Sequence, residues 1–226
     1  MGMTMKIIVF GATGMIGQAV MKEAMKSSKI ESITIVGRSP SMFQGQKIRE
    51  LLVTDLFDLS SIEDQLKSHD ACLFCVGVSA AFLDEKAYTH LTYDLTIKTA
   101  ETVLKSNPTL TFVYVTGQGT DSSEAGRVMW ARVKGRTENK LLNMPFKAAY
   151  MFRPGAILPL DGIRSKTKVY DLLYQIFGPF IHLLRRLNPA WCPTTQEVGR
   201  AMLAAAEGTH AKRILDSTDI IKLANT

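Results

Sequence analysis

Cysteine and histidine are scarce in this chain of 226 residues, which holds three of the former and four of the latter. Three cysteines without a framework exclude a disulfide-stapled scaffold and indicate a reducing compartment, so we expect a cytoplasmic protein. Cys72 and Cys75 lie three residues apart in a strand-like run, so their side chains should point to opposite faces and should not share a metal ion. The histidines show no ligand spacing, and we predict no metal site.

Long apolar runs and a strong charge of one sign are missing too. The apolar segment 169–187 is interrupted by Gly178-Pro179 and ends in two arginines. This pattern predicts two half-helices and no membrane span, with contact at a membrane surface as the alternative. A net charge of +6 fits anionic ligands but is too small to indicate nucleic-acid binding. The composition, 46% hydrophobic and 21% charged, is that of one globular domain, residues 1–226.

Strands and helices alternate along the chain, a pattern typical of a parallel sheet with crossover helices. The strand-like runs are 5–10, 33–36, 50–53, 71–76, 110–115, 147–152 and 213–215, and the helical patterns are about 15–27, 60–68, 84–106, 126–143, 168–187 and 194–206. Ser60-x-x-Glu63 and Thr194-x-x-Glu197 predict capping boxes at two helix starts. We therefore predict an α/β fold, a doubly wound parallel sheet with helices on both faces, whose substrate side comes from residues of about 155–226.

The most informative motif is Gly11-Ala-Thr-Gly-Met-Ile-Gly17, which follows a buried strand and opens a helix. The first glycine permits the turn off the strand, and Gly14 lets a pyrophosphate approach the backbone. Gly17 lets the helix pack on the sheet, and the phosphates then lie at the positive helix N-terminus. The motif predicts a dinucleotide-binding site.

The end of the second strand carries Gly37-Arg38-Ser39, about 20 residues beyond this loop. An acidic residue there would bind both hydroxyls of an NAD ribose, and none is present. The fork of Arg38, with Ser39 as a second donor, suits a 2′-phosphate, so we favour NADP over NAD. A solvated loop arginine is the alternative. Asp55, followed by Leu56, would hold the adenine amino group or cap the turn into the next helix.

On these motifs the chain resembles the short-chain dehydrogenase/reductase superfamily, and most closely its atypical members related to the NAD(P)-dependent epimerase/dehydratases. Further shared motifs are Cys75-Val76-Gly77, Val115-Thr116-Gly117 and Arg153-Pro154-Gly155-Ala156, after the fourth, fifth and sixth strands. The resemblance implies a Rossmann sheet with nicotinamide at the carboxyl ends of its strands. The cofactor residues it implies are Gly11, Thr13, Gly14, Met15, Ile16, Gly17, Arg38, Ser39, Asp55, Leu56, Cys75, Val76, Gly77, Lys134, Pro154 and Ala156.

The family also implies a Ser or Thr at the end of the fifth strand and a Tyr-x-x-x-Lys on the next helix. Thr116 fits the first element and is expected to position the substrate, but the second reads Trp130-Ala-Arg-Val-Lys134. An indole N–H donates a hydrogen bond but supplies no proton near neutral pH. Lys134 is expected to bind the nicotinamide ribose, with a solvated lysine as the alternative. Trp130 would form a flat wall beside the ring or substrate, or pack in the core.

The leading hypothesis is an NADP(H)-dependent oxidoreductase that acts on a small organic molecule without the usual tyrosine acid. A flavin-like or quinone-like acceptor would allow this, because its proton can come from solvent or from another side chain. The rivals are an NADPH-binding sensor that regulates a partner protein and a scaffold whose cofactor is structural. Arg132, Arg136 and Lys140 form a basic stripe, read as a solvated face or as a docking site for an acidic partner. Pairing of two copies through exposed helices is compatible with this fold.

Overall fold

The computed structural model describes residues 4–163 and 191–226. The helix predicted near 168–187 and the apolar segment around it lie outside the described residues. In chain order the elements are β1 (Met5–Phe10), α1 (Met15–Lys26), β2 (Ile30–Gly37), β3 (Ile48–Leu52), a 3₁₀ helix (Ser60–Leu66), β4 (Ala71–Phe74), α2 (Glu85–Thr89), a π-helical turn (His90–Asp94), α3 (Leu95–Ser106), β5 (Thr111–Val115), α4 (Met129–Leu142), β6 (Ala148–Arg153), α5 (Thr195–Ala206), β7 (Ile214–Asp216) and α6 (Ser217–Leu223).

Seven strands of the described chain form one sheet in the order β3-β2-β1-β4-β5-β6-β7, and all neighbouring pairs are parallel. This confirms the predicted doubly wound α/β fold. The order reverses between β1 and β4, so the loops that leave these two strands diverge. A crevice opens at their carboxyl ends, which is where open α/β sheets bind ligands.

The sheet is covered on both faces, and β1 shows this most directly. Ile7 and Val9 pack in one layer with α1, α5 and α6. Ile8 and Phe10 pack in the other layer with the 3₁₀ helix, α3 and α4. None of these four side chains is exposed. A strand buried on both faces reads as a continuous apolar run without alternation, which is the pattern seen at the start of this sequence.

Cys72 and Cys75 lie on opposite faces of the sheet, as their spacing predicts. Cys72 packs within the layer that contains α3 and α4, whereas Cys75 packs against the layer that contains α1. Burial raises the pKa of both thiols, that of Cys75 to about 12. Both side chains are therefore neutral thiols at physiological pH.

The two predicted capping boxes differ in outcome. The one at Thr194 is confirmed, because its hydroxyl accepts the N–H of Glu197 at 3.1 Å and its own N–H donates to the Glu197 carboxylate at 2.7 Å. The one at Ser60 is wrong. Ser60 is the first residue of a 3₁₀ helix that has no side-chain cap, and its N–H donates to Oδ1 of Asp58 at 3.0 Å. Asp58 therefore accepts the N–H of Ser60, which a capping box would need to donate to the Glu63 side chain.

Some predicted boundaries shift for local reasons. The helical pattern 84–106 is divided by the π-helical turn, and α4 begins at Met129 and not at 126. Before α4, Asp121 holds a turn by accepting the N–H of Gly126 at 2.7 Å. The residues after β7 form the helix α6, which starts with a capping box between Asp216 and Asp219.

Helices α1 and α5 pack backbone to backbone through Gly199. A Cβ at this position would lie 2.7 Å from the carbonyl oxygen of Ala19 and 3.0 Å from its carbonyl carbon. Both atoms belong to the main chain of α1, so no rotamer change relieves the contact. The glycine therefore sets the distance between the two helices.

We expect Gly199→Ala to lower the free energy of unfolding. Overpacking of this kind costs ~1–3 kcal/mol, which outweighs the ~1 kcal/mol that alanine gains over glycine in a helix. Urea denaturation measures the change. Gly77→Ala is the control, because a Cβ there meets no atom within 4 Å, and it should change stability by less than about 0.5 kcal/mol. A Gly199→Ala protein as stable as the parent would contradict this account of the packing.

Candidate functional site

A cleft of about 510 Å³ lies at the carboxyl ends of the strands, where the strand order reverses. The structure brings twelve of the predicted cofactor residues to its wall: Gly11, Thr13, Gly14, Met15, Ile16, Arg38, Ser39, Leu56, Cys75, Val76, Gly77 and Lys134. Ala12, Val78, Ser79 and Val115 also line it, and the sequence analysis missed them as cofactor residues. Ala12 and Val115 belong to the motifs after β1 and β5, and Val78 and Ser79 directly follow the motif after β4.

The glycine loop is shaped by two main-chain contacts within the protein. Gly11 has a φ of +77°, and a Cβ on it would lie 2.8 Å from the backbone nitrogen of Val76. A Cβ on Gly17 would lie 2.1 Å from the carbonyl oxygen of Gly11. Both positions therefore require glycine whether or not a ligand is bound.

Gly14 is different, because protein packing does not demand a glycine there. A Cβ on it would meet only the carbonyl oxygen of Gly11, at 3.4 Å. Gly14 is also the N-cap of α1, and this helix has no side-chain cap. The space beside its backbone and the uncapped first turn form a cradle that fits a pyrophosphate at a helix N-terminus.

The residues expected at the adenosine end are divided between the cleft and its surroundings. Arg38 and Ser39 are exposed at its wall. Asp55 does not line the cleft, and its Oδ1 accepts the N–H of Phe57 at 2.9 Å. This bond corresponds to the turn-capping alternative for Asp55. Gly17 also lies behind the wall, where it packs α1 against the loop.

Lys134 and Thr116 meet at the floor of the cleft. Nζ of Lys134 donates a hydrogen bond to the backbone carbonyl oxygen of Thr116 at 2.5 Å. Burial lowers the pKa of Lys134 from its ordinary value of 10.5 to about 8, against the opposing charge of Glu138. The lysine is thus not a solvated side chain on the helix surface.

The hydroxyl of Thr116 is hydrogen-bonded to Glu138, a residue that the sequence analysis missed. It donates to Oε1 of Glu138 at 2.5 Å, and this glutamate has no exposed surface. Arg153 neutralises the carboxylate with a bidentate contact, since its Nε lies 3.1 and 3.0 Å from the two oxygens and its Nη2 also donates to Oε2. The same Nη2 donates to the hydroxyl of Ser122 at 2.5 Å. The only signal in the sequence was the spacing of Glu138, one helical turn after Lys134.

A second cavity of about 790 Å³ adjoins the cleft. Its described lining comprises residues 78–81, 115–119 and 154–157 with Ile16, Tyr88, Trp130 and Lys134. Pro154 and Ala156, which were predicted to contact the cofactor, lie here. Among these described lining residues Lys134 is the one charged side chain. The two cavities share Ile16, Val78, Ser79, Val115, Thr116 and Lys134, so they adjoin along a common wall that includes Lys134.

Trp130 is half-buried in the wall of this second cavity. Its ring lies against Gly119, where a Cβ would be 3.5 Å from Cη2 of the indole, and Gly119 has a φ of +89°. Of the two readings of Trp130, the described contacts favour a flat cavity wall over packing in the sheet core.

The basic stripe of α4 does not form a fully solvated face. Arg132 donates to Oε2 of Glu85 and to the carbonyl oxygen of Gly126, both at 2.7 Å. The guanidinium of Arg136 lies 4.4 Å from the ring centroid of Tyr93. These two arginines therefore tie α4 to the segment before α3. Arg136 and Lys140 are exposed, whereas Arg132 is only partly so.

A further groove of about 670 Å³ lies at the opposite edge of the sheet, among residues of α1, α5 and the C-terminal segment. None of the predicted site residues lines it. No helix of the described residues is both long and apolar enough to cross a membrane.

Known proteins resemble this chain in sequence and in fold. A family model described as NAD(P)H-binding matches residues 11–143, more than half of the chain. Protein HTATIP2 of Rattus norvegicus is 24% identical over 154 residues, which are 67% of this chain and 62% of the rat protein. The mitochondrial protein fmp52-2 of Aspergillus oryzae is 26% identical over 223 residues, 95% of each chain. In fold, the chain is similar to a short-chain dehydrogenase/reductase of Burkholderia thailandensis, with a TM-score of 0.70 at 14% identity over 98% of this chain and 94% of that one.

We expect Arg153→Met to destabilise the protein strongly. The variant leaves the Glu138 carboxylate buried without its cation, and breaking a buried ion pair from one side costs ~3–5 kcal/mol. The double variant Glu138→Gln/Arg153→Met removes the orphaned charge and should recover most of this loss, because the amide oxygen still accepts from Thr116. Urea denaturation measures the free energy of unfolding of the parent, of Arg153→Met, of Glu138→Gln and of the double variant. Equal losses in Arg153→Met and in the double variant would contradict the proposed balance of charge.

Proposed function

Because the chain belongs to the NAD(P)H-binding family, we propose that it is an NADP(H)-dependent oxidoreductase of the atypical short-chain dehydrogenase/reductase type that reduces a small, planar organic acceptor. The observation that carries this proposal is the junction of the two cavities. A cleft built for a dinucleotide and a larger, mostly apolar cavity share one wall and meet at Lys134. Hydride transfer needs such a meeting point, because donor and acceptor atoms must come into contact.

The residues of the cleft support nicotinamide cofactor binding, each through a distinct interaction. The uncapped N-terminus of α1 would bind the pyrophosphate, and Lys134 would donate to the nicotinamide ribose. Arg38 supports the choice of NADP, since its guanidinium is exposed at the cleft wall and suits a 2′-phosphate. When bound, the cofactor supplies the hydride, and the protein supplies orientation and electrostatics.

The second cavity supports the choice of a planar acceptor. The indole of Trp130 offers a flat wall, and Ile16, Val78 and Ile157 add apolar surface. Its described lining holds no carboxylate that would attract a cationic substrate. The hydroxyl of Thr116 donates a hydrogen bond to Glu138, so in this arrangement its oxygen would position a substrate by accepting a hydrogen bond from it. We also propose a reducing compartment, since the sequence has three cysteines without a disulfide framework.

The rival function is an NADPH-binding regulator of a partner protein. The observation in its favour is that the tyrosine position is a tryptophan and the Thr116 hydroxyl is engaged with Glu138. The rival predicts tight cofactor binding without hydride transfer, and partner capture that changes with NADPH. Capture that is indifferent to NADPH would rule it out.

We expect Arg38→Ala to weaken NADPH binding selectively. Losing hydrogen bonds to a charged phosphate costs ~1.5–3 kcal/mol, or about 10- to 100-fold in Kd. Binding of NADH, which lacks the 2′-phosphate, should change less than about twofold. Calorimetric titration with both cofactors measures this, and Arg49→Ala is the control because this exposed arginine lines neither cavity. Equal weakening of both cofactors would contradict the role given to Arg38.

We expect Trp130→Tyr to raise carbonyl reduction, because a phenol can supply the proton that the indole cannot. A gain of ~10-fold or more is expected, short of the ~10²–10⁴-fold of an optimised general acid. The assay follows NADPH oxidation with 9,10-phenanthrenequinone and 4-nitrobenzaldehyde. Trp130→Phe is the matched control, since it changes the ring equally but has no hydroxyl. If the tyrosine and phenylalanine variants reduce the probes equally while both bind NADPH, this result counts against the placement of residue 130 beside the reacting oxygen.

A further inference from the structure

We propose that Lys134 is itself the proton donor to the substrate oxygen, in place of the tyrosine that this family uses. The assignment rests on the proposed reductase function and goes beyond it, because it gives the ribose-binding lysine a second, chemical role. It follows from the position of the ammonium group, from the hydrogen bonds around it and from the side chains that surround it.

The position of Lys134 is the first argument. It lines both the cofactor cleft and the adjoining cavity, at the wall that the two share. Its Nζ has three protons, and one of them is donated to the carbonyl oxygen of Thr116. This bond anchors the ammonium at the junction and leaves two N–H groups, enough for a ribose hydroxyl and a substrate oxygen.

The nearest carboxylate does not hold the ammonium in an ion pair. Glu138 lies one turn further along α4, but its oxygens accept from Arg153 and from the Thr116 hydroxyl. Arg153 therefore carries the charge balance of this carboxylate. A lysine paired directly with a carboxylate would keep its proton tightly, whereas Lys134 is free to give one up.

Within residues 4–163 and 191–226, few titratable groups compete for this role. The groups on the surrounding described elements are Tyr88 on α2, Cys75 after β4, Tyr114 on β5, Glu138 on α4 itself and Arg153 on β6. Burial raises the pKa of Cys75 to about 12 and that of Tyr114 further. Arginine does not titrate in the physiological range, and an indole, an amide or a serine hydroxyl supplies no proton there. Tyr88, which lines the second cavity, is the remaining rival.

Burial of Lys134 lowers its pKa to about 8, which suits an acid working near neutral pH. Below that pH the ammonium is present and can donate, and above it the neutral amine cannot. The reduction rate should therefore be high at neutral pH and fall as the pH rises through about 8.

The proposed step balances without a further reactant. The carbonyl carbon of the substrate receives a hydride from the reduced nicotinamide, and the electron pair of the C=O π bond moves to oxygen. That oxygen takes a proton from Nζ of Lys134, which becomes a neutral amine. Water returns a proton to the amine after the alcohol or hydroquinone leaves. For an aromatic ortho-quinone, the product of this step is the α-hydroxyketone, which tautomerises to the hydroquinone as the proton on carbon moves to the second oxygen.

The first test follows the proton directly and needs no turnover. Protein labelled with ¹⁵N-lysine is saturated with NADP⁺, and the Nζ resonance of Lys134 is assigned by its loss in Lys134→Arg. We expect a titration midpoint at about 8, against more than about 10 for the exposed Lys140. A midpoint for Lys134 at or above about 10 would overturn the assignment.

The second test is a pH profile of kcat between about pH 6 and 10, with NADPH and the same quinone and aldehyde probes. Lys134→Arg keeps the charge and the hydrogen-bond donors but cannot release a proton, so kcat should fall by ~10²-fold or more. The decline of kcat as the pH rises through about 8, here called the limb, should also vanish. The KM for NADPH should change less than about threefold, because ribose binding is kept. Lys140→Arg and Tyr88→Phe should both retain the limb.

The outcomes separate the two proposals. Reduction that survives in Lys134→Arg with its pH limb intact overturns the assignment alone, as does loss of the limb in Tyr88→Phe. Absence of reduction by the parent protein with either probe overturns the proposed function and the assignment with it. A lost limb in Lys134→Arg together with a midpoint near 8 supports both.

Discussion

The contact between Gly17 and Gly11 is the constraint on which the site depends. Helix α1 leaves β1 so closely that a Cβ at position 17 would lie 2.1 Å from the carbonyl oxygen of Gly11. This approach holds the uncapped N-terminus of α1 at the centre of the sheet edge, beside the loop after β4. The point where the strand order reverses and the positive end of the helix therefore coincide, and an anionic dinucleotide is the ligand that such a place suits.

The other half of the site depends on a carboxylate without any exposed surface. Glu138 accepts from Thr116 and from Arg153, and so ties the ends of β5 and β6 to α4. A charge in such a place is tolerated only when it is paired and hydrogen-bonded. Glu138 also fixes the position of Thr116, whose carbonyl oxygen accepts a hydrogen bond from the ammonium of Lys134. The lysine is positioned by a chain of polar contacts that begins in the core.

Trp130 stands where the short-chain dehydrogenase/reductase family has its tyrosine acid, so the site lacks a proton donor at that position. In a nicotinamide-dependent reductase, the cofactor supplies the hydride, while binding and orientation come from the protein. Trp130 retains a ring at the cavity wall, against Gly119, so the shape of the cavity is kept without an acid at that position. In the proposed reduction the proton would come from another group, and the buried polar groups around Thr116 would determine which side chain gives it.

The sequence by itself determined the order of strands and helices, the glycine loop and the edge of the sheet that holds the site. These features are local or periodic: apolar runs covered on both faces, a capping box at Thr194, and glycines required by main-chain contacts. Ser60 shows the limit of such patterns, because Asp58 two residues away competes for the same backbone N–H.

Only the tertiary structure decided how the polar residues pair. Asp55 and the arginines of α4 had two readings in the sequence, and the structure engages each with a neighbour that the pattern does not name. The pairing of Glu138 with Arg153 joins residues from a helix and a later strand, and the shifted pKa of Lys134 follows from burial at the junction of two cavities. Spacing along a chain cannot specify such contacts, because they depend on which surfaces the packed elements bring together and on how much water remains there.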